Sequence, residues 1–177
     1  MADKVLVGIM MGSDSDLGIM SEAAKVLDKF GIGHEVNIMS AHRTPEKAME
    51  YAKAARGRGL KAIIAGAGVA AHLPGVIAAL TTLPVIGVPV QSGALSGVDA
   101  LYSIAQMPPG IPVATVAING AANAGLLAAR IIGAYCEDTA RKLDQYRADL
   151  NDGVIAKNEK LQAIGYAAYI EESKSKK

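Results

Sequence analysis

The chain has 177 residues, enough for one domain that buries roughly 70% of its unfolded surface without disulfides or metal staples. Its 18 basic and 17 acidic side chains nearly cancel to a net charge of +1, with no basic run before the last few residues, which argues against a nucleic-acid surface built on clustered Lys and Arg. The composition is 51% hydrophobic but only 4% aromatic, with 19 Gly and no Trp, so the core is one of Ala, Val, Ile and Leu packed closely around Gly-bearing turns.

The first apolar stretch, "VLVGIMM" (5–11), is too short to span a membrane and lacks the basic start and cleavage site of a signal peptide. It reads as a buried strand, and the expected location is the cytoplasm. A helical pattern near 17–30 follows, with Gly31 and Gly33 at its exit, then the extended run "HEVNIM" (34–39). Thr44 is placed to cap the next helix, 45–57, with Pro45 at its first position. Further extended runs are "KAIIAG" (61–66), "PVIGVPV" (84–90) and "PVATVAI" (112–118), the last set off by the breaker "MPPGIP". Helical patterns near 73–81, 96–106 and 121–136 separate or follow them. Five strand–helix alternations with near-continuous apolar strands predict an α/β fold with a five-stranded parallel sheet covered on both faces. After Cys136 the composition turns polar, but Leu143, Tyr146, Leu150 and Val154 keep helical spacing. Residues 137–177 are therefore expected as a helical extension and charged tail of the 1–136 domain, packed onto it or onto a neighbouring subunit. The lysine-rich end reads as a solvated terminus. Cys136 has no disulfide partner and no zinc ligands around it, fits a reducing compartment, and is expected to be an inert core thiol in an apolar helix.

Ligands of an open parallel sheet bind beyond the carboxyl ends of its strands. The residues there are "GSDSD" (12–16), "SAHRTP" (40–45), "AGVAAHLPG" (67–75) and "QSGALSG" (91–97). Free amides at the start of a helix, with Ser13 and Ser15 beside them, suit phosphate, and a carboxylate there suits ribose hydroxyls; capping by Ser and Asp explains the same residues equally well. Arg43 at the next strand exit favours the phosphate reading. Gly66, Gly68 and Ala71 match a dinucleotide fingerprint but follow the wrong strand and lack the later carboxylate. His34, at a strand entrance, reads as structural, and His72 suits a cap or packing role as well as a ligand contact. His42, at the carboxyl edge, is the natural proton carrier at neutral pH. The seven Met read as core, and no phosphate loop or metal-ligand cluster is present.

In order, "MGSDSD", "SAHRTP", "IIAGAGVAAHLPG", "PVIGVPVQSGALSGVDALYSIAQMPPGIPVATVAI" and "NAGLLAARI" resemble the PurE family of purine biosynthesis over residues 5–135. The resemblance implies a three-layer α/β/α flavodoxin-like sandwich, a homo-octamer, a small ribonucleotide substrate, and interconversion of 5-(carboxyamino)imidazole ribonucleotide and 4-carboxy-5-aminoimidazole ribonucleotide. It implies no cofactor, metal, nucleic acid or membrane. Arg43 is similar to the mutase branch rather than to the direct carboxylases, which usually carry Lys there. By position, Ser13 and Arg43 would hold the phosphate with Ser15 and Ser40, and Asp16 the ribose. His42 would be the acid–base residue, and Gly68, His72 and Leu73 would line the imidazole and carboxylate pocket. Two features depart from the family: Val69 stands where Gly is usual, and "INGAANAG" is about two residues short. A flavin carrier of the same fold would want aromatic residues at the third and fourth strand exits, and a phospho-acceptor module an Asp where Ala65 and Gly66 stand.

Overall fold

Three of the apolar runs are buried on both faces and form the middle of the sheet: β1 (Val7–Met11), β3 (Ala62–Gly68) and β4 (Val85–Val90). They belong to a computed structural model that describes residues 4–174, so the last lysines of the tail lie outside the described residues. The sheet is five-stranded and parallel throughout, in the order β2-β1-β3-β4-β5, with β2 (His34–Ile38) and β5 (Ala114–Thr115) at the edges. Helices α1 (Leu17–Phe30) and α5 (Ala121–Gly133) cover one face; α2 (Pro45–Ala55), α3 (Leu73–Ala78) and α4 (Val98–Ala105) cover the other. This is the parallel sheet covered on both faces expected from the strand–helix alternation, and the three-layer flavodoxin-like sandwich that the resemblance implies.

The two edge strands differ from the expected doubly covered runs. β2 alternates, with Val36 and Ile38 exposed on one face. On its other face Glu35 pairs with Arg58 at 2.6 Å, which holds that carboxyl below its usual range. β5 keeps only two residues of the seven-residue run, because Pro112 has no amide to donate and the ladder then slips. Val116 N–H reaches Gly87 C=O at 3.0 Å and Asn119 N–H reaches Pro89 C=O at 2.8 Å, so three residues of one strand advance against two of the other.

The last core helix stops at Gly133, and Cys136 lies outside it, contrary to expectation. Its carbonyl accepts the amide of Ala140 at 3.0 Å and its sulfur the hydroxyl of Thr139 at 3.4 Å, so it opens α6 (Glu137–Lys174). The Thr139 hydrogen bond lowers the thiol pKa, and the half-buried side chain packs against the edge of the core. Along α6, Leu143 and Tyr146 pack on the core, with Tyr146 edge-on to Phe30 at 5.8 Å, whereas Leu150 and Val154 are exposed. Gly165 (φ 74°, ψ 160°) breaks the helix. Lys160 pairs with Glu172, twelve residues on and roughly 18 Å away in a straight helix, so the chain doubles back into a short hairpin.

Helices α1 and α5 approach closely because Gly125 has no side chain. A Cβ there would lie 2.9 Å from the carbonyl oxygen and 3.2 Å from the Cα of Ala23, backbone atoms that cannot rotate away. Gly125→Ala is expected to lower stability by about 1–3 kcal/mol. Gly153→Ala, in exposed α6 with nothing within 4 Å, should raise helix stability by about 0.5–1 kcal/mol. Urea unfolding curves of the two variants check the contrast.

Candidate active site

The order of strands reverses between β1 and β3, which opens a crevice at their carboxyl ends. Beyond β1, Ser13 is extended (φ −150°, ψ 154°), and its hydroxyl accepts the amide of Ser15 at 3.4 Å, starting a 3-10 turn, Asp14–Asp16, that leads into α1. Asp16 is only 8% exposed. Burial pushes its carboxyl up, and the Ser15 hydroxyl at 3.2 Å, the backbone hydrogen bond involving Ser13 and the charge of Arg43 offset this only in part.

Beyond β2 the chain makes a strapped turn. The Ser40 hydroxyl accepts the amides of His42 (3.3 Å) and Arg43 (3.1 Å), which leaves its own proton to donate. Thr44 stands at the start of α2 but does not cap it with its side chain. Its hydroxyl turns back, accepting the Ser40 amide at 2.9 Å and donating to the Ser40 carbonyl at 3.2 Å. The strap presents His42 and Arg43 outward, and the Arg43 guanidinium donates to the carbonyl of Gly12, joining this turn to the one beyond β1.

Beyond β3, a Cβ on Gly68 would lie 3.0 Å from the Cβ of Ser92 and 3.1 Å from the carbonyl oxygen of Val90, so the last residue of the strand is bare backbone pressed against the exit of β4. His72 precedes α3 without capping it. Its Nδ1 lies 2.8 Å from Nε2 of His42, with the rings at 84° to each other, so one nitrogen donates and the other accepts. No partner of Nδ1 of His42 is found among the described residues. His34 points elsewhere, toward Ile32 C=O at 3.1 Å, in keeping with a structural role.

These turns enclose a cavity of about 200 Å³. One wall is polar: Ser13, Ser15, Asp16, Ser40, His42 and Arg43. The other is apolar: Ala41, Ala67, Gly68, Val69, Ala70 and Leu73. Of the residues that the resemblance assigns to the site, all line it except His72, which reaches it through His42. Ser92 lines it too and was missed; as the first hydroxyl after the fourth strand it could have been picked out by the rule that found Ser13 and Ser40. Arg43, the hydroxyls and the amides at the α1 start suit a phosphate, Asp16 suits vicinal hydroxyls, and His42 can carry a proton beside an apolar wall. Among the described residues no cluster of three His, Cys, Asp or Glu could hold a metal.

Residues 6–153 match the family model described as AIR carboxylase. A curated relative, N5-carboxyaminoimidazole ribonucleotide mutase of Pyrococcus horikoshii, is 57% identical over 171 residues, covering 97% of both chains. Phosphoribosylaminoimidazole carboxylase of Saccharomyces cerevisiae is 57% identical over 95% of this chain, which spans 29% of that longer protein. Among solved structures, Treponema denticola PurE superposes with a TM-score of 0.81 at 34% identity, over 89% of this chain and 99% of that one.

Because burial raises the Asp16 pKa, the folded protein holds that proton to higher pH than the unfolded chain. It therefore loses stability as pH rises from the ordinary carboxylate range through the folded value. Asp16→Asn removes this loss: the variant should unfold at a higher temperature than wild type at pH 7, with the gap closing in strong acid. Thermal unfolding across pH checks this.

Proposed function

The chain belongs to the AIR carboxylase family, and from that premise we propose that it converts N5-carboxyaminoimidazole ribonucleotide into 4-carboxy-5-aminoimidazole ribonucleotide in purine biosynthesis. The observation that carries this reading is the convergence of Asp16, His42 and Arg43 on one cavity whose other wall is apolar. Arg43, with the hydroxyls of Ser13, Ser15 and Ser40, holds the phosphate. Asp16 takes the ribose hydroxyls, and the heterocycle lies toward Gly68 and Leu73.

Protonated His42 gives its proton to the exocyclic nitrogen as the bond from that nitrogen to the carboxylate carbon breaks. The bonding pair stays on nitrogen, leaving carbon dioxide and the aminoimidazole. The ring carbon C4 then attacks carbon dioxide, forming the new carbon–carbon bond, and its hydrogen leaves as a proton to His42. One imidazole serves both halves because it ends each in the state the next requires. The bond between Nε2 and His72 fixes the ring and leaves Nδ1 for the transfer. The apolar wall keeps the released gas beside the carbon it must meet.

The yeast relative's name favours a second reading, direct carboxylation of the aminoimidazole with free carbon dioxide. Substrate labelled in its carboxylate, turned over in unlabelled bicarbonate, separates the two: retained label supports transfer within the site, and loss to the pool at every turnover supports direct carboxylation. His42→Asn should lower turnover by about 10²–10⁴-fold while leaving nucleotide binding within a few-fold, and near-normal turnover would remove His42 from the mechanism.

We extend the reading to a homo-octamer in the cytoplasm. Val36 and Ile38 on β2, and Leu150 and Val154 on α6, are apolar side chains that assembly would cover. No helix among the described residues is long and apolar enough to cross a membrane. Light scattering should give a single species of eight chains.

A further inference from the structure

A second cavity, of about 780 Å³, lies at the opposite edge of the sheet, where the strands begin. It is lined by residues that lead into β1, β3 and β4, by the residue that follows α2, and by the segment that joins α5 to α6. The active-site cavity measures about 200 Å³. The larger one falls within the range that holds whole small-molecule ligands, roughly 300–1,000 Å³. The reaction proposed above makes no use of it.

Its lining combines two kinds of surface. Leu6, Leu60 and Ile132 are apolar and buried, whereas Tyr135, which lines the cavity with them, is 92% exposed, so its ring is free to stack. The rest of the lining includes three cations, Lys4, Arg56 and Lys61, and no carboxylate. Among the described residues none of the three is paired with an acid. Arg56 is held in another way: its Nη1 donates to the Thr82 hydroxyl at 2.7 Å, which orients the guanidinium and leaves its other N–H groups to donate elsewhere. Lys4 is guided too. A Cβ on Gly59 would lie 3.1 Å from Cε of Lys4, so the lysine stem runs through space that a side chain would take. Like charges around one cavity repel one another, and an anion placed among them turns that cost into attraction.

We propose that this cavity binds a second ligand, one with a flat apolar ring system and several negative charges, the chemical class of a nucleoside triphosphate. The cations match a polyphosphate chain, with Arg56 as the planar fork and the two lysines as point charges on flexible stems. The ring lies against the apolar lining and stacks on Tyr135. A free polyphosphate lacks the ring and a free nucleoside lacks the charge, so each engages only half of the lining. Asp16, His42 and Arg43 stand at the other end of the strands, so the occupant does not compete with substrate for the same groups. The proposal does not depend on the reaction assigned to the other cavity.

Titration calorimetry of ATP into the full chain, at low salt and without divalent metal, tests this. Alkylation by iodoacetamide of Cys136, a half-buried thiol that lines the cavity, reports locally on occupancy. ATP should bind and slow the alkylation several-fold. Arg56→Gln combined with Lys61→Gln, both exposed positions, should weaken binding by about 10-fold or more, and Tyr135→Ala by several-fold. Arg43→Ala, in the catalytic cavity, should leave the protection of Cys136 unchanged. Adenosine and inorganic triphosphate should each bind at least about 10-fold more weakly than ATP. Absence of ATP binding overturns the proposal, as does binding that Arg43→Ala abolishes or that the Arg56→Gln and Lys61→Gln pair leaves intact. Inorganic triphosphate binding as tightly as ATP overturns the role of the ring, and adenosine doing so overturns that of the cations. If Cys136 resists alkylation even without ligand, calorimetry on the same variants decides.

Discussion

The polar wall of the cavity depends on β1 being hydrogen-bonded on both sides, to β2 and to β3, through the same five residues. Met11 is registered with Ile38 on one side and with Gly66 on the other, so β1 and β2 end at one level while β3 runs two residues further, to Gly68. The amide of Met39 continues the ladder one step further, to the carbonyl of Met11 at 2.8 Å, and brings Ser40 beside Gly12. Only then can Arg43 reach the Gly12 carbonyl and His42 stand within reach of His72. A slip of one residue in either register would turn every side chain of that strand to the opposite face. The site is therefore as well fixed as the most buried strand in the protein.

Within that frame the site sacrifices stability in places where the core does not. The core is assembled from small side chains at close approach, as where Gly125 meets Ala23, and such packing carries little strain. At the rim, Asp16 is buried with only partial compensation, and Val69 occupies a left-handed backbone. The hydroxyls of Ser40 and Thr44 are committed to holding their own turn, and that commitment gives the exposed His42 a fixed place to stand.

Much of this was legible in the sequence, for identifiable reasons. β1, β3 and β4 are buried on both faces, and an unbroken apolar run has few other uses at that length. The strand-exit rule then picks out Ser13, Asp16, Ser40, His42 and Arg43, because their positions follow from where the strands stop. The edges were harder. The run over 112–118 is as apolar as the central strands, and nothing in its composition reveals that it would lie on the outside with Pro112 interrupting its ladder. Contacts between distant residues leave no local trace, so His72 suited a cap or a ligand contact equally in the sequence, and its pairing with His42, thirty residues away, was not foreseen. Thr44 has the composition of a cap and spends its hydroxyl on Ser40. Cys136 fits the apolar pattern of α5 yet falls just beyond its end, where it begins the next helix.

The packing of α5 on α1 bears on how the protein is made. Ser92 is the last residue that lines the cavity, so the ribosome has delivered every group of the site before it begins α5. Until Ala121–Gly133 arrives, the inner side of α1 and the sheet beneath it have no cover. At a synthesis rate of about 5–20 residues per second, that interval lasts about 2–8 s. For those seconds the nascent chain carries every residue that lines the cavity without the helix that covers α1 and the sheet, and it is then that a chaperone has most apolar surface to shield.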